Sequence, residues 1–209
     1  MIKILALFSV FCAYVADAQF SASGQQALVN AHNTLRSRIA KGTYTAKGAR
    51  LGPASNMRKI VWDQGIAAKA QAYANTHPNG HSHTKLGENM YWGNSIKVLT
   101  NKDPEGMTAA KMWEDEFQKF GLASNIYNQK TMLWTANTIG HASQMAWADT
   151  YKMGCGVAGW QGSQWYQTVV VCQYDGPGNW DNKPVFKKGA QCSACPAGTR
   201  CESSTGLCA

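Results

Sequence analysis

The sequence predicts an α+β domain in which an antiparallel sheet packs between helices. Apolar side chains recur at helical spacing in four segments, and three shorter segments are rich in the β-branched and aromatic residues typical of strands. The apolar content of the 209 residues is 44%, with eight tryptophans, which is enough for one substantial core. Helices and strands mixed in this order favour an arrangement in layers.

The first two helices are predicted from their end signals. Ser23 can cap the first helix together with a glutamine three residues later, and Gly42 should stop it. Asp63 offers the start of a second, alanine-rich helix that should end near His77-Pro78. The helical spacing connects Leu28, Ala31, His32, Leu35 and Ile39 in the first helix, and Ile66, Ala67, Ala70, Tyr73 and Ala74 in the second.

The third and fourth helices carry titratable groups on their apolar sides. The third is predicted over Thr108–Phe120, with Glu116 on the side that also carries its aromatic residues. A carboxylate in such a place is either a cavity residue or a costly burial. A fourth helix is predicted over Asn137–Ala148, and it places His141 and Met145 on one face, one turn apart.

Three strands are predicted, and two of them form a hairpin. The first covers Glu88–Trp92. The second centres on Val157, a turn follows, and the third covers Trp165–Tyr174 with three consecutive valines. Cys155 and Cys172 flank the hairpin and should cross-link it, which is worth about 3 kcal/mol in the chain-entropy model.

Residues 1–18 have the layout of a cleaved signal peptide. Lys3 precedes an apolar run from Ile4 to Val15, and small residues follow at 16 and 18. The run is shorter than the roughly 20 apolar residues that span a bilayer. We therefore expect a secreted, extracellular protein whose mature chain begins at Gln19.

Six cysteines remain once Cys12 leaves with the leader: Cys155, Cys172, Cys192, Cys195, Cys201 and Cys208. An even number in an oxidising compartment favours three disulfides over metal ligation or a reactive thiol. The last four lie in residues 185–209, an apolar-poor tail that must depend on its cross-links. A zinc site is disfavoured there, because Cys192-x-x-Cys195 supplies only half of one and no histidine lies nearby. Four cysteines allow three pairings, and the sequence leaves all three open.

The charge distribution is uneven. The formal net charge is +8, and residues 19–62 contain seven basic side chains and no acidic one. Such a stretch could make peripheral contact with an anionic surface, although a solvated basic face is the simpler interpretation. Nucleic acid is excluded as a partner by the export signal and by the lack of a recognised nucleic-acid module. The seven residues are Arg36, Arg38, Lys41, Lys47, Arg50, Arg58 and Lys59.

Four motifs resemble those of one family of extracellular proteins. Residues 140–147 (GHASQMAW) and 171–180 (VCQYDGPGNW) look like its two signatures, and residues 87–91 (GENMY) and His32-Asn33 with Arg36 add two more. On these motifs the chain is identified as a member of the CAP superfamily. This superfamily includes cysteine-rich secretory proteins, insect venom allergens, plant pathogenesis-related class 1 proteins and nematode secreted proteins.

The resemblance implies a fold and a site. The fold is a three-layer α-β-α sandwich, the CAP or SCP domain, over residues 19–184, and residues 185–209 resemble the short hinge of venom-allergen-like nematode proteins. The site is a central cleft with two histidines and two glutamates. Glu88, Glu116 and His141 match three of these positions. We assign the fourth to His81, with His83 as the alternative.

Two functions follow from the resemblance. The first is a secreted, monomeric, non-enzymatic binding or effector protein for a lipid, sterol, glycan or protein partner, with no required cofactor. The alternative is a metal-dependent hydrolase that uses the four cleft residues. His81 and His141 could bind a divalent cation such as zinc, with carboxylates or water completing the shell. Glu88 and Glu116 could serve a glycosidase as its carboxylate pair. No activated water or nucleophile is legible, so no catalytic residue is assigned.

Overall fold

A four-stranded sheet forms the middle layer of the fold. The computed structural model describes residues 19–130 and 138–209, so the predicted signal peptide and the predicted start of the fourth helix lie outside the described residues. The helices are α1 (Ala22–Ala40), α2 (Gln64–Ala74), α3 (Asp103–Phe120) and α4 (Gly140–Ala146). The strands are β1 (Tyr44–Ala46), β2 (Ala49–Leu51), β3 (Val61–Trp62), β4 (Gly87–Ser95), β5 (Lys152–Gln161), β6 (Tyr166–Asp175), β7 (Cys201–Glu202) and β8 (Leu207–Cys208).

The sheet separates two apolar layers. Its order is β3-β5-β6-β4, with β3 parallel to β5 and the other pairs antiparallel. Val169 and Val171 face α2, whereas Val157 and Val170 belong to the larger core shared with α1, α3 and α4. The three-layer α-β-α sandwich is therefore confirmed. The short parallel strand β3 is an addition, so the sheet is mixed rather than purely antiparallel.

Two glycines on β5 allow α2 to lie directly on the sheet. A Cβ atom at Gly154 would collide with the backbone of Ala67, and one at Gly156 would collide with the backbone of Gln71. The Gln71 side chain uses this proximity, because it donates to the Val157 carbonyl at 2.8 Å and accepts from the Val157 amide at 3.0 Å. A buried amide thus bonds helix to strand with both of its polar atoms.

Several helix ends differ from the predictions. Ser21, not Ser23, caps α1, because its hydroxyl accepts from the amide of Gly24 at 3.1 Å. The α3 helix begins five residues earlier than Thr108, since Pro104 in the first turn starts a helix well and Asp103 complements its dipole. The α2 cap at Asp63 is confirmed. No helix in the described ranges is long and apolar enough to cross a bilayer.

The disulfides follow the predicted hairpin and select one tail pairing. Cys155 and Cys172 are directly opposed in the β5–β6 register, with their Cα atoms 4.1 Å apart, and they are bonded as predicted. In the tail, the pairs are Cys192–Cys201 and Cys195–Cys208. All six cysteines of the described residues are thus oxidised, which confirms three disulfides and a cross-linked hinge.

The tail also packs on the sandwich. Leu207 is fully buried in the larger core, and the Cys208 amide donates to the Met57 carbonyl at 2.8 Å. Lys59 forms an ion pair with Glu202 at 2.8 Å. The cross-linked segment is consequently held by apolar burial as well as by its sulfur bonds.

Candidate functional site

The four predicted cleft residues meet around the start of β4, an edge strand of the sheet. His81 lies in the loop before β4, Glu88 on β4, Glu116 on α3 and His141 in the first turn of α4. Glu88 and Asn89 point to opposite faces, because successive strand side chains alternate. The cleft therefore straddles the strand. Its cavity has a volume of about 270 Å³ and is lined by His81, Glu88, Asn89 and His141, among others.

Glu88 is the most heavily bonded carboxylate of the cleft. It accepts from His81 Nδ1 at 2.8 Å, from the Ser82 amide at 2.9 Å, from the Ser82 hydroxyl and from Gln173 Nε2 at 2.9 Å. Burial disfavours its charge, but the hydrogen bonds from His81, Gln173 and Ser82 outweigh burial and lower the pKa of Glu88 to about 2. The same hydrogen bond, which His81 donates to Glu88, raises the pKa of His81.

The second pair joins α3 to α4. Glu116 Oε1 lies 2.6 Å from His141 Nδ1, and its Oε2 accepts from the amides of His141 and Ala142, both at 2.9 Å. Ile139, which precedes α4, offers no capping side chain. Glu116 therefore caps this helix from a neighbouring element, and a negative charge is favourable at a helix start. Its place on the apolar side of α3 thus has a structural reason.

The two sequence signatures bond to each other beside the cleft. Asn179 donates to the Gly140 carbonyl at 2.8 Å and accepts from the Ser143 hydroxyl at 2.7 Å. The Gly178 amide donates to Gln144 Oε1 at 2.8 Å. These contacts fix the start of α4, which carries His141. Asn179, Ser143 and Gln144 were predicted only as motif members. Their polar character inside a signature was the available signal for a positioning role.

Arg36 anchors the segment that follows α4. It is fully buried, and its guanidinium donates five hydrogen bonds, which satisfies every donor that the group has. Burial lowers its pKa to about 9, so it stays charged at neutral pH. The acceptors are the carbonyls of Arg58, Met145, Trp147, Ala148 and Thr150, at 2.7–3.1 Å. The prediction that Arg36 belongs to an exposed basic face is therefore wrong.

Four of the other six basic side chains in residues 19–62 also contact groups of the protein. Arg38 lies 4.8 Å over the Tyr44 ring and Arg58 4.0 Å over the Tyr151 ring. Lys41 donates to the Ser204 carbonyl at 2.6 Å. Among these four, Lys59 pairs with an acidic side chain, Glu202, at 2.8 Å. Peripheral contact of this stretch with an anionic surface stays a prediction.

The cleft offers two imidazole nitrogens to a ligand. Both histidines direct Nδ1 to a carboxylate, which leaves each Nε2 without a hydrogen bond among the described residues. Metal-binding histidines commonly have this carboxylate partner. The structure places His81 rather than His83 on Glu88. Among the described residues, a cluster of three ligand atoms within 4.8 Å occurs at Cys192, Cys195 and Cys208, whose sulfurs are in disulfides.

Residues 29–174 match the family model described as "Cysteine-rich secretory protein family", CAP. This match covers more than half of the chain and includes all four cleft residues. The chain belongs to the CAP family. A secreted protein of Ancylostoma caninum is 34% identical over 194 residues, which are 89% of this chain but 44% of that protein. Venom allergen 5 of Vespula maculifrons, another CAP relative, is 32% identical over 172 residues, which are 78% of this chain and 79% of that protein.

Solved CAP structures show the same fold. The crystal structure of NaASP2 with Zn²⁺ is 29% identical with a TM-score of 0.79, and the alignment covers 91% of this chain and 97% of that one. The chain thus spans almost all of one CAP structure but less than half of the Ancylostoma relative. By name, these CAP relatives are secreted and venom proteins.

Proposed function

We propose that this chain is a secreted, non-enzymatic CAP protein that binds an extracellular lipid, sterol, glycan or protein partner. The observation that carries the proposal is the engagement of both cleft carboxylates. Glu88 accepts four hydrogen bonds and Glu116 accepts three, all from the protein itself. The names of the relatives and the three disulfides support secretion.

The same bonding argues against hydrolysis. A glycosidase needs one carboxyl group that is protonated and able to donate to the leaving group. Glu88 and Glu116 instead accept hydrogen bonds on both of their oxygens, and such satisfied networks hold a site rigid. The cleft is built to keep its shape rather than to exchange protons.

A turnover assay tests the proposal. Residues 19–209, refolded with their disulfides, should not hydrolyse ester, peptide or glycoside substrates above the buffer rate. Glu88→Gln should give the same result, because it keeps the shape of the side chain while removing its charge. Turnover in the parent chain that Glu88→Gln abolishes would overturn the proposal. Glu116 is a poorer choice for this substitution, because it caps α4.

We further propose that the cleft takes a divalent cation, with His81 and His141 as its two protein ligands through Nε2. The orientation of both rings by carboxylates supports this assignment. The solved zinc complex of NaASP2, a CAP relative, supports zinc as the ion. With two protein ligands and water completing the shell, binding should be weaker than at structural sites with four protein ligands.

Calorimetric titration with zinc chloride measures this binding. His81→Ala and His141→Ala should each weaken it at least tenfold, whereas His83→Ala, a change two residues away in the same loop, should leave it unchanged. Equal binding by all four proteins would contradict the assignment of the ligands.

A further inference from the structure

A second recess lies where α2 ends and the sheet continues beyond it. In the register, Trp160 of β5 and Asn94 of β4 both oppose Gln167 of β6, so these three side chains form one row on the α2 face. Trp92 lies on the same face, two residues before Asn94. The recess has a volume of about 450 Å³, within the range of small-molecule sites. We call it the end groove.

The two tryptophans of the end groove are held in fixed positions. Trp92 is 45% exposed, and its indole nitrogen donates to the Pro78 carbonyl at 2.9 Å. Trp160 stacks on the His77 ring, with centroids 4.2 Å apart and planes 16° from parallel. Because its N–H group is engaged, Trp92 offers a ligand only its carbon surface. Exposure of an ordered aromatic surface to water is unfavourable, so such a surface is suited to contact with a ligand.

Apart from His77 and Thr168, whose hydroxyl donates to Glu105, the polar side chains that line the end groove are carboxamides. Asn79, Asn94 and Gln167 line it, and none of their side chains makes a hydrogen bond to another described residue. Each amide offers an acceptor and two donors. Among the described residues, the lining contains no carboxylate, lysine or arginine, and His77 is the one titratable residue in it. The groove therefore combines uncharged donors and acceptors with a flat apolar surface.

We propose that the end groove binds a neutral saccharide, with one sugar ring against Trp92 and its hydroxyls on Asn94 and Gln167. Sugar C–H groups complement the negative face of an indole, and hydroxyl groups complement amides in both directions. An anion would find no counter-charge here. A lipid chain would strip water from three amides without replacing their hydrogen bonds, which is unfavourable. The proposal rests on the binding function above: it selects the glycan from the partner classes named there and assigns it a site outside the cleft.

Saturation-transfer NMR on residues 19–209 tests the proposal with methyl mannoside, lactose, maltose and diacetylchitobiose as probes. At least one should show transfer and shift the Trp92 indole N–H signal of the parent chain, and Trp92→Ala should abolish the transfer. The matched control is Trp165→Ala, which removes an equally exposed tryptophan, 46% against 45%, that lies outside the groove. Trp165→Ala should bind like the parent chain.

A second variant addresses the amides. Asn94→Ala with Gln167→Ala should weaken binding at least tenfold while Trp92 keeps its place. No transfer to any of the four sugars, or equal loss in Trp92→Ala and Trp165→Ala, would overturn the proposal. The turnover assay is independent of this result, because it concerns the cleft.

Discussion

Single buried polar residues decide how the cleft is held. Next to the Arg36 anchor, His32 is fully buried on the same helix, where its Nδ1 donates to the Leu28 carbonyl at 2.8 Å. Its Nε2 then accepts from the Tyr174 hydroxyl at 2.9 Å. Burial lowers the pKa of His32 to about 4, because a charged ring would lose its hydration. His32 is therefore neutral in the folded protein at neutral pH.

Neutral His32 should make the stability of the protein depend on pH. The unfolded chain binds a proton at His32 near the ordinary value of 6.5, and the folded chain does so only near 4. Stability from this group is complete above 6.5 and is lost as the pH falls toward 4, for a total of about 3 kcal/mol. Denaturant unfolding followed from about pH 7 to about pH 4 should show this slope.

His32→Gln is the control for that slope. It keeps a polar side chain at the site but removes the titrating ring, so the slope through this window should fall. The same slope in both proteins would assign the effect to other groups.

At the level of elements, close packing of α2 on β5 depends on missing side chains. The collisions expected at Gly154 and Gly156 involve backbone atoms of α2, which cannot move without shifting the helix. The two hydrogen bonds between Gln71 and Val157 require the same short distance between α2 and β5. Glycine is used here for close approach rather than for an unusual backbone angle.

Gly156→Ala should consequently destabilise the protein by about 1–3 kcal/mol, since the inserted methyl group overpacks a helix–sheet contact. Gly80→Ala is the matched control, because a Cβ at Gly80 meets no atom within 4 Å and its change should stay within about 0.5 kcal/mol. Guanidinium midpoints measure both. A midpoint for Gly156→Ala equal to that of Gly80→Ala would mean that α2 does not need the close approach.

At the level of the whole molecule, the sandwich and the tail share a core. Leu207 is buried among residues of the sandwich, and Lys41, the residue that follows α1, donates to the Ser204 carbonyl of the tail. The tail disulfides close short segments, with separations of 9 and 13 residues. Short cross-links and one buried leucine together give an apolar-poor segment a defined position.

Periodicity and motifs predicted much of this architecture. Helical spacing identified the buried faces of α1 and α2, and the cysteine positions identified the hairpin bond, because both signals are local. The prediction that Glu116 and His141 lie together came from the motifs instead. The two residues are 25 positions apart, and helical spacing does not show which distant residues meet.

The features that the sequence did not predict depend on strand register and on contacts between distant segments. The strand predicted over Glu88–Trp92 omits its last three residues, so Asn94 was not placed beside Gln167. The capping of α4 by Glu116 could not be predicted, because a cap from another helix leaves no local pattern. The end groove was missed for the same reason, since its tryptophans lie on different strands.

The loop between α2 and β4 is fastened at two points. Trp92 bonds the Pro78 carbonyl at the groove, and Glu88 bonds the Ser82 amide at the cleft. His77 and His81 belong to this one short stretch, one imidazole beside each recess. A sample isotopically labelled only at histidine would thus give separate spectroscopic reporters for sugar and for zinc, so both ligands could be followed in one tube.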